Sequence, residues 1–170
     1  FSLRAVGRLA RFLPVAFASP DDAEARRECL LGSLEAGIAF TNSSVALVHG
    51  MARPLGAKFG IPHGVSNAVL LEAIMRFSLP GAPERYARLA EAMGAVPAGT
   101  PLETARAGLG IVSRLVRELH IPRLRDLLSR DALDAQLDAM VREAVASGSP
   151  ANNPRPASPE EIASLYGEAF

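Results

Sequence analysis

Apolar residues recur along this chain at intervals of three and four, and no segment shows the strict alternation, bounded by hairpin turns, that marks a strand. The opening stretch sets Leu3, Val6, Leu9, Phe12 and Leu13 on one helical face and Arg4, Arg8 and Arg11 on another. It is basic and partly apolar, but it has no cleavage-like site and its pattern runs on into the next segment. It therefore reads as a helix of the folded protein and not as a targeting peptide. Three tetrads predict helix starts: Ser19-Pro20-Asp21-Asp22, Thr100-Pro101-Leu102-Glu103 and Ser158-Pro159-Glu160-Glu161. Each offers a capping side chain, a proline at the first helical position and an acid that can satisfy otherwise orphaned N–H groups.

From these signals the chain resolves into helices separated by short loops. A long helix runs from the first cap to about Phe40, with Cys29, Leu30, Leu34, Gly37 and Ile38 as its expected buried face. Thr41 to Ser44 breaks it. A helical stretch from Val45 to about Ala52 is followed by a turn-rich segment, Pro54 to Gly60. Gly64 to Phe77 reads as a buried helix. Further helices are expected over 83–93, 101–120, 124–128 and 131–145, then a loop over 147–157 and a last helix to Phe170. The predicted fold class is all-α, one helical domain over residues 1–170. The chain starts inside a helical pattern without a cap, so it is expected to be part of a longer polypeptide.

Composition narrows the function classes. Lys+Arg and Asp+Glu are 18 each, with no basic block, which argues against nucleic acid and anionic membrane as partners. No apolar run approaches the ~20 residues that span a bilayer. Cys29 is the single cysteine, so no internal disulfide can form, and a cytoplasmic setting is expected.

The chemistry concentrates between His49 and His63. Each histidine is followed by glycine, which lets another group approach closely. The intervening backbone is punctuated by Pro54, Gly56, Gly60 and Pro62 in an otherwise helical chain. Two imidazoles held in a defined geometry suit a divalent metal. Their spacing does not match a compact zinc motif, and two packed polar residues bonded to backbone would give the same sequence. His120, at a helix end before Ile121-Pro122, reads as a partner for helix C-terminal carbonyls. Cys29 reads as core packing. Asp131, Asp134 and Asp138 follow helical spacing and mark a solvated face.

Four segments together resemble the iron-containing (group III) alcohol dehydrogenases: Ala36-Gly37-Ile38-Ala39-Phe40-Thr41-Asn42, His49-Gly50-Met51-Ala52 with Pro54-Leu55-Gly56-Ala57, Ile61-Pro62-His63-Gly64-Val65-Ser66-Asn67-Ala68, and Asn153-Pro154-Arg155-Pro156. The resemblance covers nearly the whole chain. It implies a helical bundle like the C-terminal, dehydroquinate synthase-like domain of that family, and a metal-dependent, NAD(P)-linked alcohol dehydrogenase or aldehyde reductase. It implies that His49 and His63 are ligands of a catalytic Fe²⁺ or Zn²⁺. The family's other two ligands, an Asp and a His on an Asp-Ala-Leu-x-His helix, have no counterpart here, nor does its N-terminal NAD(P)-binding α/β domain. A chain with two of four ligands is expected to bind metal weakly, to be inactive alone, and to self-associate through exposed apolar surface. Many members carry a histidine four residues after the first ligand, where this chain has Arg53. A guanidinium cannot shuttle protons near neutral pH, but it can orient a carboxylate or phosphate of substrate or cofactor, or instead pair with a structural acid. The implied substrate is a small alcohol or aldehyde. A non-catalytic helical binding or scaffold module of the same fold is the alternative. A dehydroquinate synthase-like or glycerol dehydrogenase-like enzyme shares the helical domain, but Pro62-His63-Gly64 favours the alcohol dehydrogenase branch.

Overall fold

The computed structural model describes residues 1–170, and its regular elements are all helices. They are α1 (Ser2–Ala18), α2 (Ala23–Ser43), α3 (Leu47–Phe59), α4 (His63–Ser78), α5 (Pro83–Ala92), α6 (Pro101–Glu118), α7 (Leu124–Leu127), α8 (Arg130–Ala146) and α9 (Pro159–Ala169). Single 3₁₀ turns at Leu79–Gly81 and Ser149–Asn152 shape two of the connections. No single helix is long and apolar enough to cross a membrane. Although one helical domain is expected from the sequence, the helices gather into two compact units. One comprises Phe1–Ser43 with Ala82–His120, the other Ser44–Gly81 with Ile121–Phe170.

In the first unit α1 packs on α2, and α5 on α6. Two of the three expected caps close as capping boxes, Thr100 with Glu103 on α6 and Ser158 with Glu161 on α9. The third does not. Helix α1 runs on to Ala18 with Ser19 closing its C-terminus, and Asp22, not Ser19, caps α2 by accepting from the Ala25 N–H at 2.9 Å. The buried face of α2 also differs from expectation. Its buried residues are Ala25, Gly32 and Glu35, while Leu30 and Leu34 are 72% and 60% exposed. Gly32 lies against the Leu9 side chain of α1, which needs a residue without bulk there. Glu35 is buried because Arg4 and Arg8 pair with it, and Arg8 also pairs with Glu28. A carboxylate so paired can occupy an interior position that hydrophobicity alone would assign to leucine. Cys29 is half-buried. His120 adopts left-handed backbone (φ 53°) after α6, donates its N–H to the Arg117 carbonyl and sets its ring edge-on to Phe17, a structural role.

The second unit holds the larger core. Leu47, Met51 and Leu55 of α3, Leu70 and Ile74 of α4, Leu133 and Met140 of α8, and Ile162, Leu165 and Tyr166 of α9 form one buried cluster. Helix α3 is a correction to the sequence reading. It continues through Pro54 to Phe59, where a turn-rich segment was expected. Proline removes one N–H from the ladder and usually kinks or ends a helix. Here Pro54 is buried, and the flanking Leu55 and Met51 anchor the same face. The C-terminal segment is fastened to the end of α4. The Asn153 amide donates to Ser78 Oγ (3.0 Å) and the Arg155 carbonyl (2.7 Å), and the Arg155 guanidinium lies 3.9 Å from the Phe77 ring centroid. Asp131, Asp134 and Asp138 are exposed along α8, as their spacing predicts.

Candidate metal centre

His49 and His63 lie fourteen positions apart in sequence, on different helices. Their ring centroids are nevertheless 5.4 Å apart, with an interplanar angle of 53°. The intervening turn explains this. Helix α3 ends at Gly60 in left-handed backbone (φ 68°), a conformation glycine adopts without penalty. The chain then doubles back along α3, and the Ile61 carbonyl passes 3.3 Å from where a Cβ on Gly56 would sit. Pro62, extended at ψ 140°, delivers His63 as the first residue of α4. Gly56, Gly60 and Pro62 thus serve to return the second imidazole to the first.

The glycines after the two histidines differ. A Cβ on Gly50 would meet Pro150 at 3.1 Å and the Ser147 hydroxyl at 3.2 Å, so this residue does permit close approach, by the turn before α9. Gly64 has nothing within 4 Å, and no approach is visible there. Sequence reasoning did not find the residues that hold α3 in place. Tyr166 of α9 donates its hydroxyl to the Met51 carbonyl at 2.6 Å, and Lys58 pairs with Glu143 of α8 at 2.7 Å. Asn152 donates to the Val45 carbonyl at 2.9 Å, just before α3. These partners are far apart in sequence and leave no periodic signal.

Burial, then the neighbouring His63 and then Arg53, push the His49 pKa below its ordinary value and so favour the neutral ring. A neutral imidazole is the form that binds a metal. Arg53, one turn beyond His49 on the same helical face, is exposed, and no acidic side chain pairs with it. Asn67, one turn into α4, places its amide nitrogen 2.8 Å from the His63 carbonyl and 3.2 Å from His63 Nε2. Its Oδ1 is the one buried side-chain polar atom without a partner. No third His, Cys, Asp or Glu joins the two imidazoles to make a set of three. The chain therefore brings together two adjacent imidazoles, with an exposed guanidinium one turn beyond His49 and no carboxylate joined to them.

The C-terminal region of the Fe-containing alcohol dehydrogenase family matches residues 1–170. The chain belongs to that family. It is 36% identical over 171 residues to 1,3-propanediol dehydrogenase from Klebsiella pneumoniae, covering 99% of this chain and 43% of that protein. It is 40% identical over 152 residues to lactaldehyde reductase from Escherichia coli K12, covering 88% of this chain and 39% of that one. Among solved structures it superposes on a 1,3-propanediol oxidoreductase with a TM-score of 0.93 at 36% identity, over 99% of this chain and 44% of that one. The all-helical fold is thus that of iron-containing alcohol dehydrogenase C-terminal regions, and the chain spans less than half the length of these relatives.

Proposed function

We propose that this chain is the metal-bearing, C-terminal portion of an NAD(P)-linked alcohol dehydrogenase or aldehyde reductase, in which His49 and His63 supply two of the ligands to a catalytic Fe²⁺ or Zn²⁺. The observation that carries this reading is the 5.4 Å approach of two imidazoles from different helices. Family membership supports it, as does the suppressed basicity of His49. The donor set fits a divalent ion in part, because two imidazoles leave positions open for ligands from outside this chain. In this reading an upstream part of the enzyme, of the kind the relatives' greater length accommodates, brings the remaining ligands and the nucleotide-binding domain. When bound, the ion supplies Lewis acidity at the substrate oxygen and the nicotinamide supplies the hydride donor or acceptor.

This chain's own residues do three things. His49 and His63 present two ring-nitrogen donors. The turn from Gly60 to Pro62 holds the two rings together. Arg53 places a permanent positive charge beside them, where it orients an acidic group of substrate or cofactor. Alone, the chain is expected to bind metal weakly and to lack dehydrogenase activity. Exposed Leu30, Leu34 and Phe40 on α2 favour association with another copy or with the rest of the enzyme.

The test is made in the full-length enzyme. His49→Ala and His63→Ala should each remove stoichiometric metal along with activity, and full metal occupancy in both variants would sink the proposal. Arg53→Ala should lower kcat/KM for a hydroxy acid or acidic aldehyde by about 10–100-fold, the value of a charge-assisted hydrogen bond of about 1.5–3 kcal/mol. Neutral alcohols of similar size should be far less affected. Equal losses would show that Arg53 does not read substrate charge.

A further inference from the structure

Asn67 touches His63 twice through one atom. Its Nδ2 lies 2.8 Å from the His63 carbonyl oxygen and 3.2 Å from His63 Nε2. A carbonyl oxygen only accepts, so the amide atom beside it is the nitrogen. The opposite amide orientation would bring two acceptor oxygens together. An amide NH₂ only donates, so Nε2 must meet it as an acceptor, carrying a lone pair and no proton. The ring proton of neutral His63 then sits on Nδ1. The other end of the amide is unsatisfied: Oδ1 is buried with no donor.

We infer that Asn67 is a positioning residue that fixes His63 as its Nδ1–H tautomer and acts as a placeholder at the Nε2 lone pair, the electron pair a divalent cation would take. The purpose rests on the metal reading above, but the tautomer does not. The spacing suits the task, since a residue one helical turn after His63 lies on the same face of α4. Because the amide is satisfied at its nitrogen end only, its release when a cation arrives costs less than release of a fully bonded group, and it leaves Oδ1 free to find a donor. Groups of this kind around a metal ligand set which ring nitrogen is available and which way the ring faces.

The experiment is long-range ¹H–¹⁵N correlation of the imidazoles in the ¹⁵N-labelled 170-residue chain at pH 8, with no metal. In the unsubstituted protein His63 should show a protonated Nδ1 and an unprotonated Nε2. Asn67→Asp, whose carboxylate only accepts, should move the proton to Nε2. Asn67→Leu, which has no polar end, should give a mixture. Backbone amide spectra of both variants check that α4 is intact, and the unsubstituted chain tests the tautomer even if a variant fails to fold. A predominant Nε2–H form in the unsubstituted protein, or one tautomer in all three, overturns the inference. A Zn²⁺ titration then separates this inference from the proposed function. Zinc should perturb His63 Nε2 and the Asn67 amide protons together, and engagement of Nδ1 instead would overturn the placeholder role. If no Zn²⁺ binds while the Nδ1–H form is present, the tautomer assignment stands, and the metal reading is decided by metal content of the full-length His49→Ala and His63→Ala variants.

Discussion

Tyr166 is the strongest single tie between the last helix and the helix that carries His49. It is fully buried, and its hydroxyl donates to the Met51 carbonyl at 2.6 Å. Within α3 that carbonyl also faces the Leu55 N–H one turn on. Tyr166→Phe therefore removes a second hydrogen bond from an acceptor that keeps its first, at a cost of about 1 kcal/mol. Tyr166→Ala removes the ring as well and should cost about 3–5 kcal/mol, a large share of the stability of a domain this size. Urea melts followed by far-UV circular dichroism measure both. In a chain of this length about 1 kcal/mol corresponds to a Tm shift of roughly 2–4 °C. The pH dependence is a sharper signature. Burial, with Glu143 adding to it, raises the Tyr166 pKa well above its ordinary value. An acid whose folded pKa lies above its unfolded one contributes stability that is complete below the unfolded value, about 10, and is lost as pH rises beyond it. Above that pH the unsubstituted protein should lose up to about 1.4 kcal/mol per pH unit that Tyr166→Phe does not lose. Tyr86 and the basic side chains are common to both proteins and cancel. Equal stabilities at neutral pH and parallel losses above pH 10 would refute the reasoning.

His49 has the opposite sign. Burial foremost, then His63 and Arg53, depress its pKa, so its contribution is present above the unfolded value of about 6.5 and is lost as pH falls toward the folded one. Between pH 7.5 and 5 the unsubstituted chain should lose more stability than His49→Gln, and identical losses in urea melts would contradict a half-buried ring that favours its neutral form. Two glycines make a paired test. A Cβ at Gly81 would lie 2.6 Å from the Pro154 carbonyl oxygen, backbone against backbone, so Gly81→Ala should destabilise by about 1–3 kcal/mol. Gly64 lies in α4 with open space around it, so Gly64→Ala should stabilise by about 0.5–1 kcal/mol. Thermal melts that ranked the two the other way would mean the close approach at Gly81 is absent in solution.

The residues around His49 show what a one-dimensional reading can reach. The two histidines stood out in the sequence as candidates, and the resemblance implied that they work together; the structure brings their rings together through the turn at Gly60 and Pro62. The path of that segment was less legible. Pro54 and Gly56 read as breakers, yet α3 passes through both, because burial of Met51, Pro54 and Leu55 on one face outweighs the lost N–H. Asn67 was within reach of sequence reasoning, one turn after His63. Tyr166, Asn152 and Pro150 were not, since the contacts they make cross about a hundred residues.

What the sequence determines by itself is local. Periodicity places the helices. Thr100 and Ser158 start two of them, because a capping side chain and the N–H it satisfies are three residues apart. What tertiary structure decides is which face each helix buries. On α2, local hydrophobicity points to Leu30 and Leu34, but the neighbour on α1 presents Arg4, Arg8 and Leu9. Glu35 and Gly32 therefore go inward and the leucines outward. A helix has no intrinsic inside. The chemistry of the surface it meets chooses its buried face, and that surface comes from elsewhere in the chain.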